Sequence, residues 1–390
     1  FPVFGPKKRH FSEIRDEQKL VDRIPDADVL FEKERLLSCY RRGERGYPIC
    51  TATLKDEPTK LSSEKVRVFQ AAPVAMSLLI RKYFLPLARF LCLHPIESEC
   101  AVGINVFSQE WQHIMQHVEK FADDKQMLVF DYSKYDVRIH SQMTTEVYSI
   151  YYQLAERAGY SKDDLHIMRM MTADIVHPLL DWNGVLLMAF NMNTSGNNMT
   201  VITNSIAGAL FVRMGFFSSY PLEDDFRNCV AGSTYGDDFI GSVSDKFRAF
   251  NFESYRDFLA LHNMKITLPS KTDDSAKFLP LDEADFLKRT SHYIEEIDTI
   301  VGRLDENSIF KSLHCNLKSK VALPHEVAAG CIETALHEWF AYGREHYEMR
   351  AAQMRAVCKS VNLPVPATNT TFDERVENWK EKYLVKTVVT

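Results

Sequence analysis

No two of the eight cysteines, at positions 39, 50, 92, 100, 229, 315, 331 and 358, stand in a C-x-x-C pair. That argues against a zinc site or a secreted disulfide framework and for a reducing compartment, with the thiols serving as small buried hydrophobes. None of the thirteen histidines lies in H-E-x-x-H, the signature of a zinc protease. No stretch approaches the uninterrupted apolar length of a membrane span, so no transmembrane segment is expected. The opening FPVFGPKKRHF lacks the basic-then-apolar layout of a signal peptide. Positive charge is not in surplus either: 47 Lys and Arg stand against 53 Asp and Glu, a net charge of −6. Nucleic-acid binding normally rests on a basic surface. Any RNA contact must therefore use local concentrations of charge, for which Lys7, Lys8, Arg9, Lys55, Lys60, Lys65 and Arg67 are candidates. Internal repeats and low-complexity tracts are absent. What remains is a 390-residue chain, 45% hydrophobic and 26% charged, with the composition of a globular protein of two or three domains or one multi-lobed unit.

Two acidic pairs carry the chemistry. The downstream pair, Asp237 and Asp238, sits in CVAGSTYGDDFIGSV, where apolar and β-branched stretches flank a glycine-led turn. This pattern predicts a tight hairpin with two carboxylates at its tip. The upstream pair, Asp131 and Asp136, sits in MLVFDYSKYD, where an apolar run predicts a buried strand ending at Asp131. Carboxylates at the ends of neighbouring strands can share divalent cations. Mg²⁺ prefers such hard oxygen ligands and keeps other positions for water and phosphates. Two ions about 3.5–4 Å apart form the usual clamp for in-line displacement at phosphorus. A Gly-Asp-Asp turn alone is common and usually just solvated, so its weight comes from the motifs around it.

The hydrophobic pattern predicts helices at 12–22, 26–41, from Pro73 onward, 106–121 and 142–158. Further helices are expected from the loop at 193–200 to about Met214, at 247–262, 326–342 and 373–383. Strands are expected at 65–70 and 265–268, and a hairpin turning at Asn183 and Gly184. The whole reads as helix-rich α+β around a central antiparallel sheet.

Five features then occur in one order: a basic loop, D-x4-D, S-G-x3-T-x3-N, G-D-D, and FLKR at 286–289. In this combination the chain resembles the RNA-dependent RNA polymerases of picornavirus-like positive-strand RNA viruses. The AAP at 71–73 and SGN at 195–197 are closer to insect and aquatic picorna-like viruses. The resemblance covers essentially the whole chain. It implies a right-hand polymerase: partial fingers at 1–73, palm at 74–157, a fingers insertion at 158–190, palm again at 191–293, and thumb at 294–390.

The resemblance also assigns roles. Asp131 and Asp237 would bridge two Mg²⁺ ions (Mn²⁺ in vitro), with Asp238 in the outer shell. One ion would activate the primer 3′-hydroxyl and the other hold the triphosphate. Asp136 would accept a hydrogen bond from the nucleotide 2′-hydroxyl, with Asn204 as partner and Ser195 and Thr200 completing the network. Lys55, Lys65 and Arg67 would meet the triphosphate, with Lys60 a weaker assignment. Lys271 would act as general acid for pyrophosphate. Phe286, Lys288 and Arg289 would form the primer grip, Phe286 packing on the palm and Lys288 touching primer phosphate. The implied partners are RNA template and primer, nucleoside triphosphates, a protein primer and other viral replication proteins. The implied location is the host cytoplasm, at membrane-associated replication complexes. Polymerases of this kind begin upstream of a template-admitting motif represented here only by Phe1 and Pro2, so an amino-terminal fingers segment is expected to be missing. A reverse transcriptase and a catalytically silent RNA-binding scaffold are the competing readings. The pairing of Asp136 with Asn204 favours ribonucleotides over the former, and the intact Asp131, Asp237 and Arg67 argue against the latter.

Overall fold

The computed structural model describes residues 11–16, 19–55, 57, 67–220, 225–269, 276–315 and 321–384. Its centre is a sheet of strands β5 (Gln126–Tyr132), β8 (Val230–Tyr235), β9 (Asp238–Val243) and β10 (Ile266–Thr267), in the order β10-β5-β9-β8. A further short strand, β11 (Leu279–Pro280), pairs with the start of β5, and every pairing in this sheet is antiparallel. Both faces of β5 are buried, which is why its sequence reads as a continuous apolar run. Leu128, Phe130 and Tyr132 join the large core, while Met127 and Val129 join a second cluster with Trp111, Ile240 and Phe286. Side chains alternate across a strand, so the two sets point to opposite faces.

The large core is closed by helices α2 (Val74–Leu93), α5 (Ser141–Arg157), α6 (Lys162–Val176), α7 (Thr200–Ser219) and α9 (Phe252–Ala260). Helix α7 is long and apolar enough to cross a membrane by composition, yet 67% of that stretch is buried inside the fold. A helix that is apolar all round belongs in a core. Phe130 stacks on Phe239 at 4.7 Å and Tyr255 packs beside them, filling the space between sheet and α9.

A second sheet has the order β4-β3-β6-β7, from β3 (Ile49–Leu54), β4 (Val68–Ala71), β6 (Leu179–Trp182) and β7 (Val185–Met188). The pair β3 and β6 is parallel and the others antiparallel. Helix α1 (Ala27–Arg41) joins this sheet to α6 through the buried Asp174. That carboxylate accepts from Tyr40 Oη at 3.0 Å, Arg45 Nε at 2.8 Å and the Gly46 amide at 2.8 Å. Of the helix expected at 12–22, residues 12–16 and 19–22 instead lie in paired antiparallel strands, β1 (Phe11–Asp16) and β2 (Lys19–Pro25); residues 17 and 18 lie outside the described residues. Apolar residues three apart in a six-residue segment do not separate helix from strand, and pairing along the strands decided it.

The carboxy-terminal region opens with a hairpin, β12 (Arg289–Ile294) and β13 (Thr299–Leu304), and continues in helices α10 (Glu306–His314), α11 (Pro324–Trp339), α12 (Arg344–Ser360) and α13 (Phe372–Tyr383). It has its own core around Leu336, Trp339, Phe340, Tyr347 and Phe372. Between it and the central sheet runs α4 (Gln109–Val118), capped by Ser108; short helices α3 (Pro95–Ser98) and α8 (Phe226–Cys229) are the remaining α-helices among the described residues. Caps trim the expected helices: Ser108 starts α4 three residues after 106, and Asn251 starts α9 with a capping box. All eight cysteines are free.

Candidate active site

The acidic pairs converge at one end of the central sheet. Register places Asp131 on β5 directly opposite Asp238 on β9, with Val129 opposite Ile240 two residues earlier. The two carboxylates therefore share a face, where directly opposed residues have Cβ atoms about 4.5–5.5 Å apart and like charges destabilise the pairing. The turn beside them is as tight as the sequence suggests. Tyr235 pairs with Asp238, leaving Gly236 and Asp237 as a two-residue loop. Gly236 has φ +64°, the left-handed first position that glycine serves in a primed hairpin turn. The turn is pinned from behind: the Gly236 amide donates to Ser205 Oγ at 2.8 Å, and Ser205 donates to the Val201 carbonyl at 2.8 Å.

Asp237 is accessible to solvent but crowded by protein around its base. That burial, and next the charge of Asp131, push its carboxyl above the usual aspartate range, with Asp136 adding and Arg67 opposing. Arg67 thus lies within electrostatic reach of the acidic cluster. Its side chain is exposed at the start of β4, and it shares Glu57 with Lys55, at 3.7 and 3.8 Å. Lys60 and Lys65 of the same loop, and Lys271, lie outside the described residues.

Mutually repelling carboxylates made of hard oxygen donors are the donor set a divalent cation needs. Among the described residues no three His, Cys, Asp or Glu side chains form a preassembled metal cage.

The expected ribose network forms differently. Asp136 lies in a 3-10 turn at Tyr135–Val137, and Asn204 sits one turn into α7, nearly buried. Neither bonds to the other. They are joined by Asn193, whose amide donates to the Asp136 carbonyl at 2.9 Å and whose side-chain nitrogen donates to Asn204 Oδ1 at 2.8 Å. Tyr135 holds the same turn from below, donating to the Asn204 carbonyl at 3.1 Å. Ser195 bonds instead to Gln70, its hydroxyl 3.2 Å from Oε1, and Thr200 donates to the carbonyls of Thr194 and Asn197 at 2.5 and 2.9 Å. These two residues shape the loop and do not complete an Asp136–Asn204 network. Gly196 sits against β4, where an added Cβ would lie 2.0 Å from the Gln70 carbonyl oxygen. Sequence reading overlooked Asn193, Ser205 and Tyr135. The only signal was that Asn193 opens the S-G-x3-T-x3-N loop, and asparagine there reads as an ordinary turn residue.

The FLKR segment is a hairpin whose two central residues, Leu287 and Lys288, both have left-handed φ, +58° and +57°. Phe286 and Arg289 exchange amide–carbonyl bonds at 3.0 Å. Phe286 is buried beside Trp111, and Lys288 is exposed at the tip. Arg289, the last residue of the expected primer grip, is turned toward α11. It forms a two-point ion pair with Glu338 of α11 at 2.8 Å and donates to the Gly302 carbonyl at 2.7 Å. The Arg289 side chain is only 12% exposed.

A family model for viral RNA-dependent RNA polymerases matches residues 4–359. The chain belongs to that family. The replicase polyprotein of Cricket paralysis virus is 26% identical over 339 residues, covering 82% of this chain and 19% of the polyprotein. That of Drosophila C virus is 26% identical over 348 residues, covering 85% and 20%, and the RNA1 polyprotein of Satsuma dwarf virus is 26% identical over 385 residues, covering 93% and 18%. The chain thus spans about a fifth of the length of the curated relatives it matches. In fold it is similar to the Sicinivirus 3Dpol RNA-dependent RNA polymerase, with a TM-score of 0.74 over 97% of this chain and 74% of that one, at 17% identity. The right-hand α+β architecture with its antiparallel palm sheet is therefore that of the family.

Proposed function

We propose that this polymerase-family chain catalyses template-directed RNA synthesis from nucleoside triphosphates. The observation that carries the reading is the register that sets Asp131 opposite Asp238, with Asp237 on the turn between the strands. Asp131 and Asp237 would hold two Mg²⁺ ions, with Asp238 behind them; Mn²⁺ would serve in vitro. Bound there, the ions would supply an acidified primer hydroxyl and charge stabilisation at the transferring phosphorus. The chain's own groups do the rest. Arg67 and Lys55, with Lys65, meet the triphosphate; Asp136 and Asn204 read the ribose; Lys288 positions the primer backbone; and Lys271 protonates the departing pyrophosphate.

The division into fingers (1–73 and 158–190), palm (74–157 and 191–293) and thumb (294–390) is part of this proposal. So are its partners: an RNA template and primer, a protein primer, and other replication proteins of a viral polyprotein. The site of action would be the cytoplasm of the infected cell, at membrane-associated replication complexes.

Primer extension on a short RNA primer–template tests it, with Mg²⁺ and with ribo- and deoxynucleotides in parallel. Ribonucleotide incorporation that falls about a thousandfold in Asp237→Ala is the expected outcome, a loss of several kcal/mol of transition-state stabilisation. Preference for deoxynucleotides would make the protein a reverse transcriptase. RNA binding without product would make it a scaffold.

A further inference from the structure

Asn204 has two chemically different ends, and which end faces the nucleotide decides what it can recognise. Oxygen and nitrogen of an amide are assigned by their bonding partners, and here the partners allow one answer. Asn193 is 1% exposed, and its side-chain nitrogen lies 3.5 Å from the Thr200 carbonyl and 2.8 Å from Asn204. A carbonyl oxygen only accepts, so the end of Asn193 near Thr200 must be its NH₂. That NH₂ only donates, so the atom of Asn204 that meets it must be Oδ1. The NH₂ of Asn204 is thereby turned the other way. It makes no hydrogen bond among the described residues, and it is not among the buried atoms sealed from solvent.

Asn193 also fixes the second reader, since its backbone amide holds the Asp136 carbonyl at 2.9 Å. The site therefore presents a donor from Asn204 and a carboxylate acceptor from Asp136. A 2′-hydroxyl can satisfy both at once, and a deoxyribose can satisfy neither. We propose that Asn193 is a positioning residue for sugar selection: it orients the Asn204 amide so that its NH₂ faces the ribose. This inference rests on the polymerase reading above.

The test is the ratio of ribo- to deoxynucleotide kcat/KM in primer extension. Asn193→Asp keeps the shape but offers Asn204 only acceptors, so the Asn204 amide must turn over; Asn193→Leu keeps the volume and removes the orienting bond. Asn204→Asp is the reference, keeping the acceptor for Asn193 while losing the donor toward the sugar. All three are expected to lower the ratio about tenfold or more, with the loss in ribonucleotide kcat/KM. Melting curves show which variants are folded, and either Asn193 variant suffices. A ratio within twofold of wild type in a folded Asn193 variant, while Asn204→Asp lowers it, overturns the inference. So does an unchanged ratio in Asn204→Asp. A wild-type protein that incorporates no nucleotide at all would sink the polymerase reading and this one with it.

Discussion

At the residue scale the acidic cluster carries a cost in stability. A carboxyl whose folded pKa is raised contributes stability that is present below its unfolded value of about 4 and lost as pH rises through the folded value. Asp237 is such a group, lifted by burial and then by Asp131. With cation chelated, Asp237→Asn is therefore expected to melt higher than wild type at pH 7, the difference shrinking as pH falls and vanishing only below about pH 4. Melting curves at the two pH values check it; an Asn variant less stable at pH 7 would contradict the assignment. Asp238→Asn, which removes the charge facing Asp131 across the strands, is expected to stabilise the chelated protein by about 0.2–1 kcal/mol. Both gains should vanish when divalent cation is restored, because wild type alone then gains the ligand's binding energy. Asp131, Asp237 and Asp238 were legible in the sequence because tight turns and strand ends are local. Asn193 was not, because its value lies in partners eleven residues ahead and fifty-seven behind.

At the element scale, α7 ties Asn204 to the turn that carries Gly236 and Asp237. Ser205 accepts the buried Gly236 amide, one residue after Asn204 in the same helix. Ser205→Ala leaves that amide without its acceptor and is expected to cost about 1–3 kcal/mol of stability, read in denaturant titration. Gly196→Ala forces a Cβ to within 2.0 Å of the Gln70 carbonyl. With backbone on both sides unable to yield, we expect a loss of about 1–3 kcal/mol and displacement of the Ser195 loop from β4. Unaltered melting in Gly196→Ala would mean that the loop is free to move off the strand. Helices with long periodic stretches or clear caps, such as α2 and α9, were legible from sequence. The hairpin of β1 and β2 was not, since its six- and seven-residue strands carry no decisive period and register there is set by pairing.

At the scale of the whole molecule, the carboxy-terminal region is held together and to the rest of the fold by contacts 49 to 272 residues apart in sequence. Trp111 Nε1 donates to Ser291 at 3.2 Å, Trp379 Nε1 to the Phe107 carbonyl at 2.5 Å, and Arg289 clasps Glu338. Glu338→Gln leaves a nearly buried guanidinium without its counter-charge and is expected to cost about 3 kcal/mol, whereas replacing both Arg289 and Glu338 by Leu should cost less. Denaturation of the single and double variants decides; equal costs would mean that the pair contributes nothing specific. The sequence by itself determined the family, the α+β class, the tight Gly-Asp-Asp turn and the identity of the acidic residues, because each is written in local pattern and ordered motifs. Only the tertiary structure decided that Asp131 faces Asp238, that Asn193 joins Asp136 to Asn204, and that Arg289 pairs with Glu338. Register, amide orientation and ion-pair choice depend on which distant groups reach the same few ångströms, and no spacing along the chain encodes that.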